Sequence, residues 1–109
     1  MTHLSVVIPV LNEETLIQEL ISRVTLNSEK ITTDYEVVIV DDGSLDNTWS
    51  KIIDAAKLNR KVRGIKLSRN FGHHYALTAG LYETAGDWVV VMDGDLQDRP
   101  EVILSLIHI

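Results

Sequence analysis

The sequence contains no cysteine, a single phenylalanine and two prolines among 109 residues. Without cysteine there is neither a disulfide scaffold nor a thiolate metal site. No apolar run approaches the ~20 residues that a membrane-spanning helix needs. The first residues, MTHLSVVIPVLNEE, carry no basic segment ahead of their apolar stretch and do not read as a secretion signal. Basic residues are also scarce. Ten Lys and Arg stand against 16 Asp and Glu, for a net charge of −6, and they form no stripe, so no nucleic-acid partner is expected. No repeat, low-complexity tract or linker interrupts the chain. The expectation is one soluble, cytoplasmic domain over residues 1–109, with any membrane association running through segments outside it.

What is present alternates regularly. Apolar residues make up 45% and charged residues 24%, a globular balance. LSVVIPV (4–10) is nearly continuous and β-branched at four positions, which suits a strand buried on both faces. YEVVIV (35–40), VRGIKLS (62–68) and DWVVVMD (87–93) read as three further strands. Between them, Leu16, Ile17, Leu20, Ile21 and Val24 recur at helical spacing behind a start at Asn12. NTWSKIIDAAKLN puts Trp49, Ile52, Ile53 and Ala56 on one face of a second helix, HHYALTAGLYETA is a third, and a fourth starts after Pro100. The order β-α-β-α-β-α-β-α predicts an α/β fold with a Rossmann-like parallel sheet. Right-handed crossovers allow few topologies; the strand order 3-2-1-4 would put the switch point between strands 1 and 4, with ligands beyond the carboxyl ends of the strands. The closing run EVILSLIHI suggests that further sheet belongs to the same domain.

The polar residues gather at those strand ends. Pro9, Asn12, Glu13 and Glu14 follow strand 1, and Asp41, Asp42, Gly43 and Ser44 follow strand 2. Ser68, Arg69 and Asn70 follow strand 3, and Asp93, Asp95, Gln97 and Asp98 follow strand 4. Asp93 and Asp95, one residue apart, can both turn toward one hard cation, with Gln97 as a neutral oxygen ligand. Such a set suits Mg²⁺ or Mn²⁺ shared with substrate phosphates. The plainer reading is that these acids cap turns and that Asp98 caps a helix. Asp41, ending a buried strand, can accept hydrogen bonds from a nucleobase or a ribose, whereas an Asx-turn competes for Asp42 and Ser44. Arg69 can pair with a diphosphate at the start of the third helix, or with a neighbouring acid. His73 and His74 stay outside the metal set.

Taken together, IPVLNEE (8–14), VDDGSLDNT (40–48), LSRNFGHHYALTAGL (67–81) and VVVMDGDLQDRPE (89–101) resemble the family 2 glycosyltransferases of GT-A fold. The last two motifs look most like the branch that makes polyprenyl-phosphate sugars, including dolichyl-phosphate mannose synthases and bactoprenol glucosyl transferases. The resemblance implies the nucleotide-binding half of a GT-A domain, which takes a UDP- or GDP-sugar, uses Mg²⁺ or Mn²⁺ and delivers the sugar to a polyprenyl phosphate with inversion. By position it implies a nucleotide-sugar pocket of Pro9, Asn12, Glu13, Asp41, Asp42, Arg69, Asn70 and Asp93. It also implies a metal set of Asp93, Asp95 and Gln97. The chain departs from the branch in two ways. Arg99 stands where it usually has a second proline, and the pair His73–His74 stands where one basic or amide residue is commoner. Such domains run to about twice this length, so the implied chain binds the donor without completing transfer, and no catalytic base is assigned.

Other classes are poorer matches. A dinucleotide oxidoreductase needs G-x-G-x-x-G after strand 1, where this chain reads P-V-L-N-E-E. A phosphoacceptor signalling domain would place its acid pair after strand 1 and a lone aspartate after strand 3, where Ser-Arg-Asn stands. A nucleotide-binding module without catalysis, or a transferase acting on a saccharide, stays open as an alternative.

Overall fold

A computed structural model describes residues 3–84 and 87–92. Four parallel strands, β1 (Leu4–Val10), β2 (Tyr35–Asp41), β3 (Val62–Lys66) and β4 (Trp88–Val91), form one sheet in the order β3-β2-β1-β4. Helices α1 (Ile17–Ile31), α2 (Thr48–Leu58) and α3 (His73–Tyr82) make the crossovers. The expected α/β class and strand order are both observed. The register is regular, with Val6 paired to Val37 and to Val90, and Val10 paired to Asp41.

Both central strands are buried along their whole length, which is why their sequences run apolar without alternation. Successive side chains still point to opposite faces. Leu4, Val6, Ile8, Val37 and Ile39 join Ile17, Leu20, Val24 and Ile52 in the larger core, under α1 and α2. Val38 and Val40 meet Ala76 on the other face, under α3. The result is a three-layer sandwich with strand ends free for a ligand.

Several boundaries differ from the expected ones for identifiable reasons. The first helix starts at Ile17, because Asn12 adopts a left-handed φ of 52° and the chain turns once before the helix, with the Leu16 and Ile17 amides donating to the Glu13 carbonyl. β3 ends at Lys66, opposite Asp41, where β2 also ends; only the Leu67 amide reaches on to the Asp41 carbonyl. Ile53 is half exposed instead of packed. It borders a shallow surface hollow with Trp49, Ile52, Ala56, Lys57 and Gly64, where α2 crosses β3. At the other edge, Val89 and Val91 are exposed because α3 lies over β1 and β2 rather than β4. The helix expected after Pro100 lies outside the described residues. No helix among the described residues is long and apolar enough to cross a membrane.

Candidate functional site

The carboxyl ends of β1, β2 and β3 open onto two adjoining cavities. One, about 350 Å³, is lined by Pro9, Val10, Leu11, Asp42, Asn70, Gly72 and His73. The other, about 410 Å³, takes Leu11 and Asn12 from the first loop, Gly43, Ser44 and Leu45 from the second, and Lys66 through Asn70 from the third. Leu11 and Asn70 belong to both. Of the residues expected in a nucleotide-sugar pocket, Pro9, Asn12, Asp42, Arg69 and Asn70 line these cavities, while Glu13 and Asp41 line neither. Leu11, Lys66, Gly72 and His73 line the cavities without having been singled out as ligands. Leu11 and Gly72 carry no ligand signal in their residue types, and Lys66 and His73 stood outside the expected pocket; their place between motif residues marks all four.

The three loops are tied by their own side chains. Asn12 accepts from the Leu45 amide through Oδ1 (2.9 Å), while its own amide donates to Ser44 Oγ (2.9 Å). The Glu13 amide donates to Thr48 Oγ1 (2.9 Å), and the Thr48 hydroxyl donates to Asp46 Oδ1 (2.5 Å). Asp46 also accepts from the amides of Thr48 and Glu14. Desolvation alone would raise the Asp46 pKa, but the bonds from the Thr48 hydroxyl and from the amides of Thr48, Glu14 and Asp46 itself outweigh it and hold the carboxyl below its ordinary value. Neither Asp46 nor Thr48 looks like a ligand in sequence, yet together they set where the first loop lies against α2.

The two neighbouring aspartates have separate surroundings. Asp41 is fully buried; Oδ1 accepts from the Ser44 amide (2.9 Å), and Oδ2 has no hydrogen-bond partner among the described residues. Asp42 reaches across to the β3–α3 loop, where Oδ1 accepts from the Phe71 amide (2.8 Å) and Oδ2 from the Gly72 amide (3.1 Å). A carboxylate thus already stands at the entry to α3, the place where the sequence led us to expect a diphosphate. The competing Asx-turn is made by neither Asp42 nor Ser44: Asp42 takes the Phe71 and Gly72 amides and Ser44 Oγ the Asn12 amide, while the local bond is that of Asp41 with the Ser44 amide three residues on. Arg69 is exposed and lays its guanidinium over the Phe71 ring, 4.5 Å from the centroid.

Asp93, Asp95 and Gln97, the expected metal set, lie outside the described residues. The chain reaches them from Met92, whose amide donates to the Val7 carbonyl (3.0 Å), so the sequence passes into D-G-D-L-Q at the carboxyl end of β4. Among the described residues, no group of three His, Asp or Glu is placed to hold a metal ion.

Fold, strand-end cavities and motif residues together point to one class of protein, and sequence and structure comparisons agree. The model of glycosyl transferase family 2 matches residues 5–108, and the chain belongs to that family. It is 45% identical, over 95% of its length, to the undecaprenyl-phosphate 4-deoxy-4-formamido-L-arabinose transferase of Aeromonas hydrophila subsp. hydrophila, and it spans 32% of that protein. Among solved structures it is similar to the mannosyltransferase PcManGT from Pyrobaculum calidifontis in complex with GDP-Man and Mn²⁺, with a TM-score of 0.76, 27% identity and coverage of 86% of this chain and 28% of that one. It is also similar to the glucosyl-3-phosphoglycerate synthase of Mycobacterium tuberculosis in complex with Mn²⁺, UDP and glucosyl-3-phosphoglycerate. There the TM-score is 0.72, the identity 27%, and coverage 95% of this chain and 37% of that one. The chain thus spans about a third of the length of the proteins it resembles.

Proposed function

We propose that this chain forms the donor-binding part of a metal-dependent, inverting glycosyltransferase. It takes a UDP- or GDP-sugar, and the sugar passes to a polyprenyl phosphate at the cytoplasmic face of a membrane. The observation that carries this reading is the pair of cavities joined at Leu11 and Asn70, at the carboxyl ends of β1 to β3 and beside the strand that leads into Asp93. Open α/β sheets bind their ligands in that position.

Pro9, Asn12 and Glu13 shape the nucleotide wall. Asp41 offers the base an acceptor. Among the described residues its buried Oδ2 has no donor, and an unsatisfied group of that kind costs ~1–3 kcal/mol until one arrives. Arg69, exposed at the rim, is free to swing toward the diphosphate. Asp93, Asp95 and Gln97 hold Mg²⁺ or Mn²⁺, which supplies positive charge against the leaving nucleotide diphosphate. The two similar structures, complexes with GDP-Man and Mn²⁺ and with UDP and Mn²⁺, support the metal and the donor class. The acceptor follows the name of the Aeromonas relative. A phosphate acceptor is already an anion at neutral pH, so attack on the anomeric carbon needs no general base.

Calorimetric titration with UDP and with GDP, each with Mn²⁺ and again with EDTA, tests this. We expect saturable binding of one nucleotide that requires Mn²⁺ and is lost in Asp95→Asn. Metal-independent binding of equal strength in Asp95→Asn would overturn the metal assignment, and a folded chain that binds neither nucleotide would overturn the reading as a whole.

A further inference from the structure

We infer that Asp42 is a positioning residue, a strut that aims Asn70 at the junction of the two cavities rather than a ligand of the donor. This rests on the proposed donor site. Both oxygens of Asp42 are engaged by successive loop amides, those of Phe71 and Gly72. The Gly72 amide is shared: it also donates to Asn70 Oδ1 (3.0 Å). Asp42, Gly72 and Asn70 are thus joined through one N–H group, and Asn70 is the residue of the β3–α3 loop that lines both cavities.

Two further observations fit a strut. Asp42 is nearly fully buried, and its own amide donates to the Val10 carbonyl (2.9 Å), so its backbone is fixed to the end of β1. Next to it, Gly43 (φ 80°) runs so close to the loop that a Cβ there would lie 2.4 Å from both the Arg69 carbonyl carbon and the Asn70 nitrogen. The β3–α3 loop is pressed against Gly43 on one side and drawn in by Asp42 on the other. A carboxylate so placed is also a poor partner for a diphosphate, because it repels the phosphates across a short distance. It neutralises the start of α3 and leaves the donor's charge to be met elsewhere.

The test combines nucleotide titration with the amide resonances of Phe71 and Gly72 in a ¹⁵N-labelled chain with Mn²⁺ replaced by Mg²⁺ for spectroscopy. Binding of UDP or GDP by the wild-type chain is measured first; a wild-type chain that binds neither overturns the donor site and this inference with it. In Asp42→Asn, we expect both amide resonances to move and exchange faster with solvent, and affinity to fall at least tenfold while the far-ultraviolet circular dichroism stays that of a folded chain. Asp42→Glu, which keeps the charge on a longer arm, is expected to leave affinity equally reduced. Loss of affinity with the Phe71 and Gly72 resonances unmoved would show direct contact with the donor and overturn the strut. Moved resonances with affinity within twofold of wild type would reduce Asp42 to a structural residue and overturn it equally. If Asp42→Asn does not fold, Gly43→Ala displaces residues 69 and 70 from the opposite side without altering any carboxylate. We expect the same tenfold loss there, and wild-type affinity would overturn the inference.

Discussion

Gly80 of α3 lies directly over Val7 of β1: a Cβ at position 80 would stand 2.5 Å from Val7 Cγ1 and 3.0 Å from Val40 Cγ2. The missing side chain lets the helix approach the sheet closely, and α3 carries the loop that lines both cavities. Gly80→Ala removes a helix glycine, a gain of ~1 kcal/mol, but forces a methyl group into a filled core, a cost of ~1–3 kcal/mol. Val7 is fully buried and short, so it has no room to yield. We expect a net loss of about 1 kcal/mol, seen as a lower urea midpoint with an unchanged slope. A rise in the midpoint would mean that α3 shifts at no cost.

The same contact shows what was legible in sequence. The strands announced themselves by unbroken β-branched runs, and alternation with right-handed crossovers left few strand orders, the observed one among them. The motif residues then fell at one edge because parallel strands all end there. What could not be read were contacts set by distance between loops. VDDGS gives no sign that Asp41 turns to Ser44 while Asp42 reaches 29 positions along to Phe71. The helical periodicity that placed Ile53 on a buried face could not show that Ile52 and Trp49 take the space over Gly64, where a Cβ would stand 2.8 Å from Ile52 Cγ2, and that Ile53 is left at the rim of the hollow. Asn12 looked like a helix start because it is a common cap residue, but its side chain serves the second loop instead.

At the opposite edge of the sheet, His3 Nδ1 stands 2.6 Å from Asp34 Oδ1, and Nε2 stands 3.6 Å from Glu36 Oε2. The bond to Asp34 raises the His3 pKa, desolvation opposes it, and the charges of Asp34 and Glu36 raise it further. A histidine whose folded pKa is raised adds stability that is complete below its unfolded value of about 6.5 and is lost as pH climbs through the folded value. Melting temperatures of wild type and His3→Gln should therefore differ most near pH ~6 and converge by about pH 9. A difference that stays constant across that range would mean that the imidazolium plays no part.

Arg63 joins that edge to α3. Its Nη1 donates to Glu36 Oε1 (2.8 Å) and to the Glu83 carbonyl (2.9 Å), and Nη2 lies 3.3 Å from Glu83 Oε2. The two acids are not equivalent. Glu36 is mostly buried and also accepts from Ser5 Oγ at 2.6 Å, whereas the Glu83 side chain is more than half exposed. Exposed pairs contribute little, ~0–1 kcal/mol, while bonds to a shielded charge are worth ~1.5–3 kcal/mol. Arg63→Ala should cost about 1–2 kcal/mol in denaturant unfolding, between those limits. Glu83→Ala, which keeps the backbone carbonyl, should cost under about 0.5 kcal/mol. Equal effects would mean that the exposed arm matters as much as the shielded one.

Thr48 stands fully buried between the first loop and Asp46, accepting from the Glu13 amide and donating to Asp46 Oδ1. Thr48→Val keeps the shape and removes both bonds, so the Glu13 amide loses an acceptor. The expected loss is ~1–3 kcal/mol, and Thr48→Ser should restore most of it. Because the Thr48 hydroxyl is one of the groups that hold the Asp46 pKa down, the effect must depend on pH. A carboxyl with a lowered folded pKa adds stability above its unfolded value of about 3.9 and loses it as pH falls through the folded one. The gap between wild type and Thr48→Val should therefore be full at pH ~6 and narrow on acidification below about pH 4. The first loop carries Leu11 and Asn12 into the cavities, so the same variant should also weaken nucleotide binding, and Thr48→Ser should recover it. Lost stability with undiminished affinity would show that the loop keeps its place through Asn12 and Ser44 alone.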